Sequence, residues 1–130
     1  MKKKVKELTR AEEQIMQIMW KLEKGFVKDV VEQFPAPKPA YNTVSTIIRI
    51  LVKKGFISYK EYGNTYEYYP LVSREEYKGV YLGNFVHNYF NSSYKSLVSF
   101  FASAENISVK ELEEMKQMVV KEIKKKKRNG

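Results

Sequence analysis

The sequence has no cysteine and a single histidine, His87. Disulfides and thiolate zinc sites are therefore excluded. A histidine cluster for metal catalysis is excluded too, and neither a metal nor a cofactor is expected. Long apolar runs are missing: none approaches the roughly 18 residues that cross a bilayer. The opening stretch Met1-Lys2-Lys3-Lys4-Val5-Lys6-Glu7 holds no apolar segment of the secretory kind. The expected address is the cytoplasm. The residue groupings of catalysis are also lacking. There is no nucleophile beside a base and no Gly-rich phosphate loop. The paired acids Glu12-Glu13, Glu75-Glu76 and Glu113-Glu114 fall near helix starts, where negative charge favours the helix dipole. An enzyme is not expected.

What the sequence does have is positive charge. Lys and Arg number 24 against 15 Asp and Glu, a net +9. Residues 1–72 carry 13 basic and 8 acidic residues, +5, and the remainder 11 and 7, +4. Five of the later cations form the tail Lys124-Lys125-Lys126-Lys127-Arg128; without them that part stands at −1. Such a balance suits a polyanionic partner. The length of 130 residues allows one compact domain, or one small domain with a helical extension.

Helix starts are legible. A capping box pairs Ser or Thr with Glu or Gln three residues on, satisfying two orphan backbone donors. Thr9 with Glu12, Ser73 with Glu76 and Ser108 with Glu111 fit the pattern, and each precedes a helical apolar repeat. The spacing of Leu8, Ala11, Ile15, Ile18, Met19 and Leu22 predicts a helix over 10–24, ended by Gly25. Val27, Val30, Val31 and Phe34 predict a short helix over 27–34. Pro35, Pro37 and Pro39 then forbid helix. Val44, Ile47, Ile48 and Leu51 predict a third helix over 42–54, capped by Gly55.

A hairpin follows. Residues 56–61 and 65–69 are rich in aromatic and β-branched side chains, with Gly63-Asn64 as a tight turn and Pro70 as a stop. Some of the tyrosines crowding it are expected to pack across strands; stacking on single-stranded nucleic acid is the alternative. The remaining helices are predicted over 74–91, 94–103 and 109–127. The lysine tail reads as a solvated, frayed end.

The polar face of the third helix carries Asn42, Ser45, Thr46, Arg49 and Lys53, opposite its apolar stripe. That mixture suits a helix reading the major groove: Asn pairs with adenine, Arg grips guanine, and short hydroxyls meet bases or phosphates. Tyr41 stands at the helix start, and Lys54 and Lys60 lie close by to hold the backbone. The order of short helix, turn, helix and hairpin is that of a winged helix-turn-helix. The expected fold is mostly α with a small β-hairpin. A winged-helix DNA-binding domain spans 1–72, and a helical dimerisation region with a basic tail spans 73–128.

The second part holds eight aromatics: Tyr77, Tyr81, Phe85, Tyr89, Phe90, Tyr94, Phe100 and Phe101. Three helices of this size cannot hide them all, so a second copy of the chain is the expected cover. The residues expected to make that contact are Tyr81, Phe85, Tyr89, Phe90 and Leu97, then Phe100, Phe101, Leu112, Met115 and Val119. Trp20 reads as a core residue, and His87 as an interface or surface residue.

Three stretches resemble the BlaI/MecI family of winged-helix repressors, the penicillinase and methicillin-resistance repressors. They are Ala11 to Trp20, then Tyr41-Asn42-Thr43-Val44-Ser45-Thr46-Ile47-Ile48-Arg49 with Leu51, Lys54, Gly55 and Phe56, and finally Tyr66-Glu67-Tyr68-Tyr69-Pro70. The resemblance covers about residues 8–125. It implies a homodimer on a palindromic operator in double-stranded DNA, blocking transcription, and it adds Thr43 to the DNA-binding set. It also implies relief of repression by proteolysis in the C-terminal region, linked to a membrane sensor peptidase. The family's Asn–Phe cut maps to Phe100 and Phe101, so this chain has Phe where the Asn stands. Ile50 takes a position where relatives often carry a basic residue. The alternative is a winged-helix protein-interaction module with only nonspecific DNA affinity, since a fold does not fix a function.

Overall fold

A computed structural model describes residues 6–130. The elements run α1 (Arg10–Leu22), α2 (Val27–Glu32), α3 (Tyr41–Lys53), β1 (Ile57–Tyr62), β2 (Thr65–Pro70), α4 (Arg74–Phe90), α5 (Tyr94–Ala102) and α6 (Val109–Asn129). The fold is mostly α with one two-stranded antiparallel hairpin. No helix among the described residues is long and apolar enough to cross a membrane. One compact unit ends at Asn84 and the other runs Phe85–Gly130, so the boundary falls inside α4.

All three capping boxes are formed. The Glu12 amide donates to Thr9 Oγ1 at 3.2 Å and the Thr9 amide to Glu12 Oε1 at 2.9 Å. Ser73 with Glu76 and Ser108 with Glu111 repeat the exchange. At α2 only half of such a box exists: Asp29 Oδ2 accepts from the Phe26 amide at 2.9 Å. Ser93 caps α5 through the Ser96 amide at 3.0 Å.

The first unit is built around α1, α2, α3 and the hairpin. Its buried cluster joins Ile15, Met16 and Met19 of α1 to Val27 and Val30 of α2. Val44, Ile48 and Leu51 of α3, with Phe56, Ile57, Tyr68, Val72 and Tyr77, complete it. The hairpin pairs Ile57 with Pro70 through Tyr62 with Thr65. Gly63 turns it with φ +59, the left-handed value that a first central glycine supplies. Gly25 and Tyr68 exchange two backbone hydrogen bonds, at 2.9 and 2.8 Å, tying the α1–α2 connection to the wing. Tyr59 and Tyr66 lie 4.7 Å apart and Tyr59 and Tyr68 6.0 Å, the cross-strand packing expected of this run.

Several expectations are corrected. Helix α1 ends at Leu22, and Glu23, not Gly25, takes the left-handed backbone at φ +70. Gly25 is instead used in the bridge to Tyr68. The buried face of α1 also differs: Ala11 is exposed, while Glu12 and Met16 are buried. The apolar stripe alone does not mark a carboxylate as part of the buried face. Tyr77 is no part of a surface aromatic set. It is 5% exposed, its hydroxyl accepts from the Leu8 amide at 2.8 Å, and its ring meets Phe56 and Trp20. The start of α4 thus packs with the N-terminal unit, past the boundary drawn at residue 72. The lysine tail is not a frayed end: α6 runs through it to Asn129. Trp20 is partly buried and donates Nε1–H to the Val72 carbonyl at 2.8 Å.

The strain at Glu23 gives a prediction. A side chain at positive φ costs about 1–3 kcal/mol, and glycine escapes that cost at the expense of a more flexible unfolded chain. Glu23→Gly is expected to raise stability by about 0.5–1 kcal/mol, read as a higher urea midpoint with an unchanged slope. A lower midpoint would show that Glu23 makes a contact worth more than the strain.

In the second unit, His87 is exposed and its Nδ1 lies 2.7 Å from Ser92 Oγ. Phe90 stacks obliquely between Phe85 at 5.7 Å and Phe100 at 5.6 Å. None of the residues of α5 or α6 is buried.

Candidate nucleic-acid interface

The α2–α3 connection sets where α3 begins. Pro35, Pro37 and Pro39 withhold backbone donors there. Lys38 Nζ donates to the carbonyls of Glu32 at 2.7 Å and Phe34 at 3.1 Å, closing the C-terminal end of α2. Ala40 then opens α3 with no side-chain cap.

The two faces of α3 are chemically distinct. Val44, Ile48 and Leu51 are at most 1% exposed and fix the helix on the core. A turn of 3.6 residues sets Asn42, Thr46 and Lys53 opposite that stripe, and all three are exposed. Tyr41 and Arg49 are exposed and Ser45 half-buried on the flank toward the wing, while Thr43 and Ile50 are exposed on the other flank. Thr46 Oγ1 donates to its own helix, at the Asn42 carbonyl, 2.8 Å away. Its oxygen remains free to accept.

The wing flank forms a hollow of about 200 Å³. Tyr41, Ser45 and Arg49 line it from α3, and Asn64, Thr65, Tyr66 and Tyr68 from the hairpin. Burial raises the Tyr68 hydroxyl's pKa, and the nearby Arg49 guanidinium opposes that rise. Lys60 projects from β1, exposed, with Nζ 5.3 Å from the centre of the Tyr62 ring.

Lys54 does not join this face. Its Nζ sits 2.8 Å from both carboxylate oxygens of Glu12, with Glu12 almost fully buried. Its charge is paired there, with the Lys54 side chain still 27% exposed. Sequence reasoning read Lys54 by its neighbourhood. The signal it missed was a carboxylate inside the capping box of α1, on the buried side of the helix. Glu12 is drawn up by burial, but its hydrogen bond to Lys54, the Thr9 amide and the Lys54 charge together hold its pKa below the ordinary value.

The residues expected to meet a second copy divide between the units. Tyr81, 48% exposed, belongs to the first. Phe85, Tyr89, Phe100 and Val119 are exposed in the second; Phe90, Leu97, Phe101, Leu112 and Met115 are half-buried there. No group of three or more His, Asp or Glu among the described residues is placed to hold a metal ion.

Comparison with known proteins gives one consistent answer. The family described as penicillinase repressor matches residues 8–121. The methicillin resistance regulatory protein MecI of Staphylococcus aureus (strain N315) is 30% identical over 122 residues, 93% of this chain and 99% of the relative. The penicillinase repressor of Bacillus licheniformis is 24% identical over 118 residues, 90% and 92% of the two chains. A solution structure of the monomeric form of BlaI from Bacillus licheniformis, in complex with the blaP half-operator, aligns with a TM-score of 0.48 at 23% identity. It covers 57% of this chain and 92% of that one. With a family match over most of its length and a relative at this identity, the chain belongs to the penicillinase repressor family of BlaI and MecI.

Proposed function

We propose that the protein is a sequence-specific transcriptional repressor of the cytoplasm. It binds a palindromic operator in double-stranded DNA as a homodimer. The observation that carries this reading is the outward face of α3. Asn42, Thr46 and Lys53 stand exposed opposite a fully buried stripe, and the wing lies beside the neighbouring flank of Tyr41, Ser45 and Arg49. Asn and Thr at such positions meet base edges, and Lys53 meets a phosphate or a guanine. Thr43 extends the face on one side. Lys60 on the wing reaches the flanking backbone.

The dimer is supported by exposed apolar side chains in the second unit. Tyr89 is 74% exposed, Phe100 68% and Met118 68%. Apolar surface of this kind gains by being covered, at about 25 cal/mol per Å². Relief of repression by a membrane sensor peptidase cutting between Phe100 and Phe101 completes the proposal. The exposure of Phe100 supports it, on a nine-residue helix with no buried residue. An aromatic ring replaces the amide of an Asn there, so the peptidase needs a pocket that accepts it.

The test is in vitro selection of random duplex DNA by the full chain near physiological salt. The expected product is an inverted repeat with half-sites about one helical turn apart. If DNA binds at low salt but no sequence is enriched, the basic charge is only nonspecific. The same domain then serves to dock proteins.

A further inference from the structure

The hollow between α3 and the wing has a chemistry of its own. Tyr41, Ser45 and Arg49 line it from the helix, and Asn64, Thr65 and Tyr66 from the hairpin. Every one of these side chains carries a hydrogen-bond donor. None of the lining residues is acidic. Arg49 takes part in neither of the two ion pairs formed among the described residues. Its one hydrogen bond is a marginal 3.5 Å approach of Nε to the Ser45 carbonyl of its own helix. A guanidinium with hydroxyl and amide donors around it, no competing carboxylate, and a volume of about 200 Å³ is a site for a small oxyanion.

We propose that this hollow holds one backbone phosphate of the bound duplex, with Arg49 as its cation. The proposal rests on the DNA-binding reading above and assigns Arg49 within it. The wing separates two jobs on α3. Asn42, Thr46 and Lys53 are exposed opposite the buried stripe and meet the groove. Arg49 lies on the edge of the same face, only about 20° round the helix from Asn42, and it shares a pocket with Asn64 and Tyr66. A guanidinium directed into that pocket grips the strand passing between helix and wing. Arg49 thus sets register and affinity, while sequence is read by its neighbours. The guanine contact that sequence reasoning gives Arg49 is replaced by this one.

The test measures affinity of the full chain for two duplexes across a range of salt. One duplex is that enriched by selection; the other is random. Wild type is compared with Arg49→Ala and Arg49→Lys, each checked for unchanged circular dichroism and melting. Arg49→Ala is expected to weaken binding by the same factor on both duplexes. The slope of log K against log salt should fall by about 0.9, the value for one phosphate contact. Arg49→Lys should restore the slope, since it restores the charge. On the selected duplex, one neutral methylphosphonate should weaken wild type and leave Arg49→Ala indifferent. A loss confined to the selected duplex, with relaxed preference at one base pair, overturns the proposal and makes Arg49 a base reader. An unchanged slope overturns it as well. Should selection enrich nothing, the operator reading fails, and the random duplex alone still decides the phosphate site.

Discussion

Phe56→Ala is expected to cost about 3–5 kcal/mol of stability, the largest effect of any single truncation proposed here. Phe56 is among the largest fully buried side chains, 1% exposed. It stands where α3 hands over to β1, and its backbone is used three times. Its amide donates to the Leu51 carbonyl at 2.9 Å. Its carbonyl accepts from the Leu71 amide at 2.7 Å and more weakly from Val72 at 3.5 Å. Its ring meets Tyr77 of α4 edge-on, 5.9 Å between centroids. One residue therefore joins the end of α3, both ends of the wing and the start of α4. Removing the ring leaves a cavity bordered by well-packed neighbours, which adds to the lost transfer energy. Domains are stable by only about 5–15 kcal/mol, so the loss is a large share. Urea denaturation should show a much lower midpoint, and DNA binding should fall as the folded fraction falls. Phe56→Leu, closer in volume, should cost less than about 1.5 kcal/mol. A small loss for alanine would mean that the site collapses around the gap.

The sequence made some of this legible and hid the rest for physical reasons. Helix starts were readable because a capping box is local: Thr9, Ser73 and Ser108 each need only a residue three places on. The wing turn was readable because Gly63 supplies a backbone that few residues tolerate. The buried face of α1 was not, because its member Glu12 becomes a core residue only through a lysine 42 positions away. Tyr77 was misjudged for the same cause. Its partners Leu8, Trp20 and Phe56 come from three separate segments. Charges near a functional helix look alike in sequence. Lys53 stays exposed and Lys54 is neutralised, and only the fold distinguishes two adjacent lysines. The polar face of α3 followed from its period alone, yet its division between groove and wing required the position of the hairpin.

Glu12 carries the second prediction. Its carboxylate is 5% exposed as a residue, receives the Thr9 amide at 2.9 Å, and meets Lys54 Nζ at 2.8 Å through both oxygens. Burial alone would raise its pKa; the Lys54 hydrogen bond and charge, with the Thr9 amide, reverse that and leave it lowered. The sign for stability follows. The unfolded chain takes up the proton first as pH falls, so the stabilisation is complete above the ordinary Glu range. It is lost as pH drops through the lowered folded value. Glu12→Gln keeps an acceptor for the Thr9 amide and removes the charge. At pH 7 it is expected to be less stable by about 1–2 kcal/mol, because a charged hydrogen bond is lost and Lys54, 27% exposed, can turn to water. The gap should narrow as pH falls below the Glu range, since wild type then loses the same charge. Glu75, also lowered by its Lys78 partner, is present in both proteins and cancels from the difference. Urea midpoints measured between about pH 7 and 3 decide it. A gap that stays constant across that range would mean that Glu12 acts through packing and its cap alone. A narrowing gap would make the pair an electrostatic clasp between the first turn of α1 and the residue that caps α3, so that the charge holding α3 in place is not one of those on its exposed face.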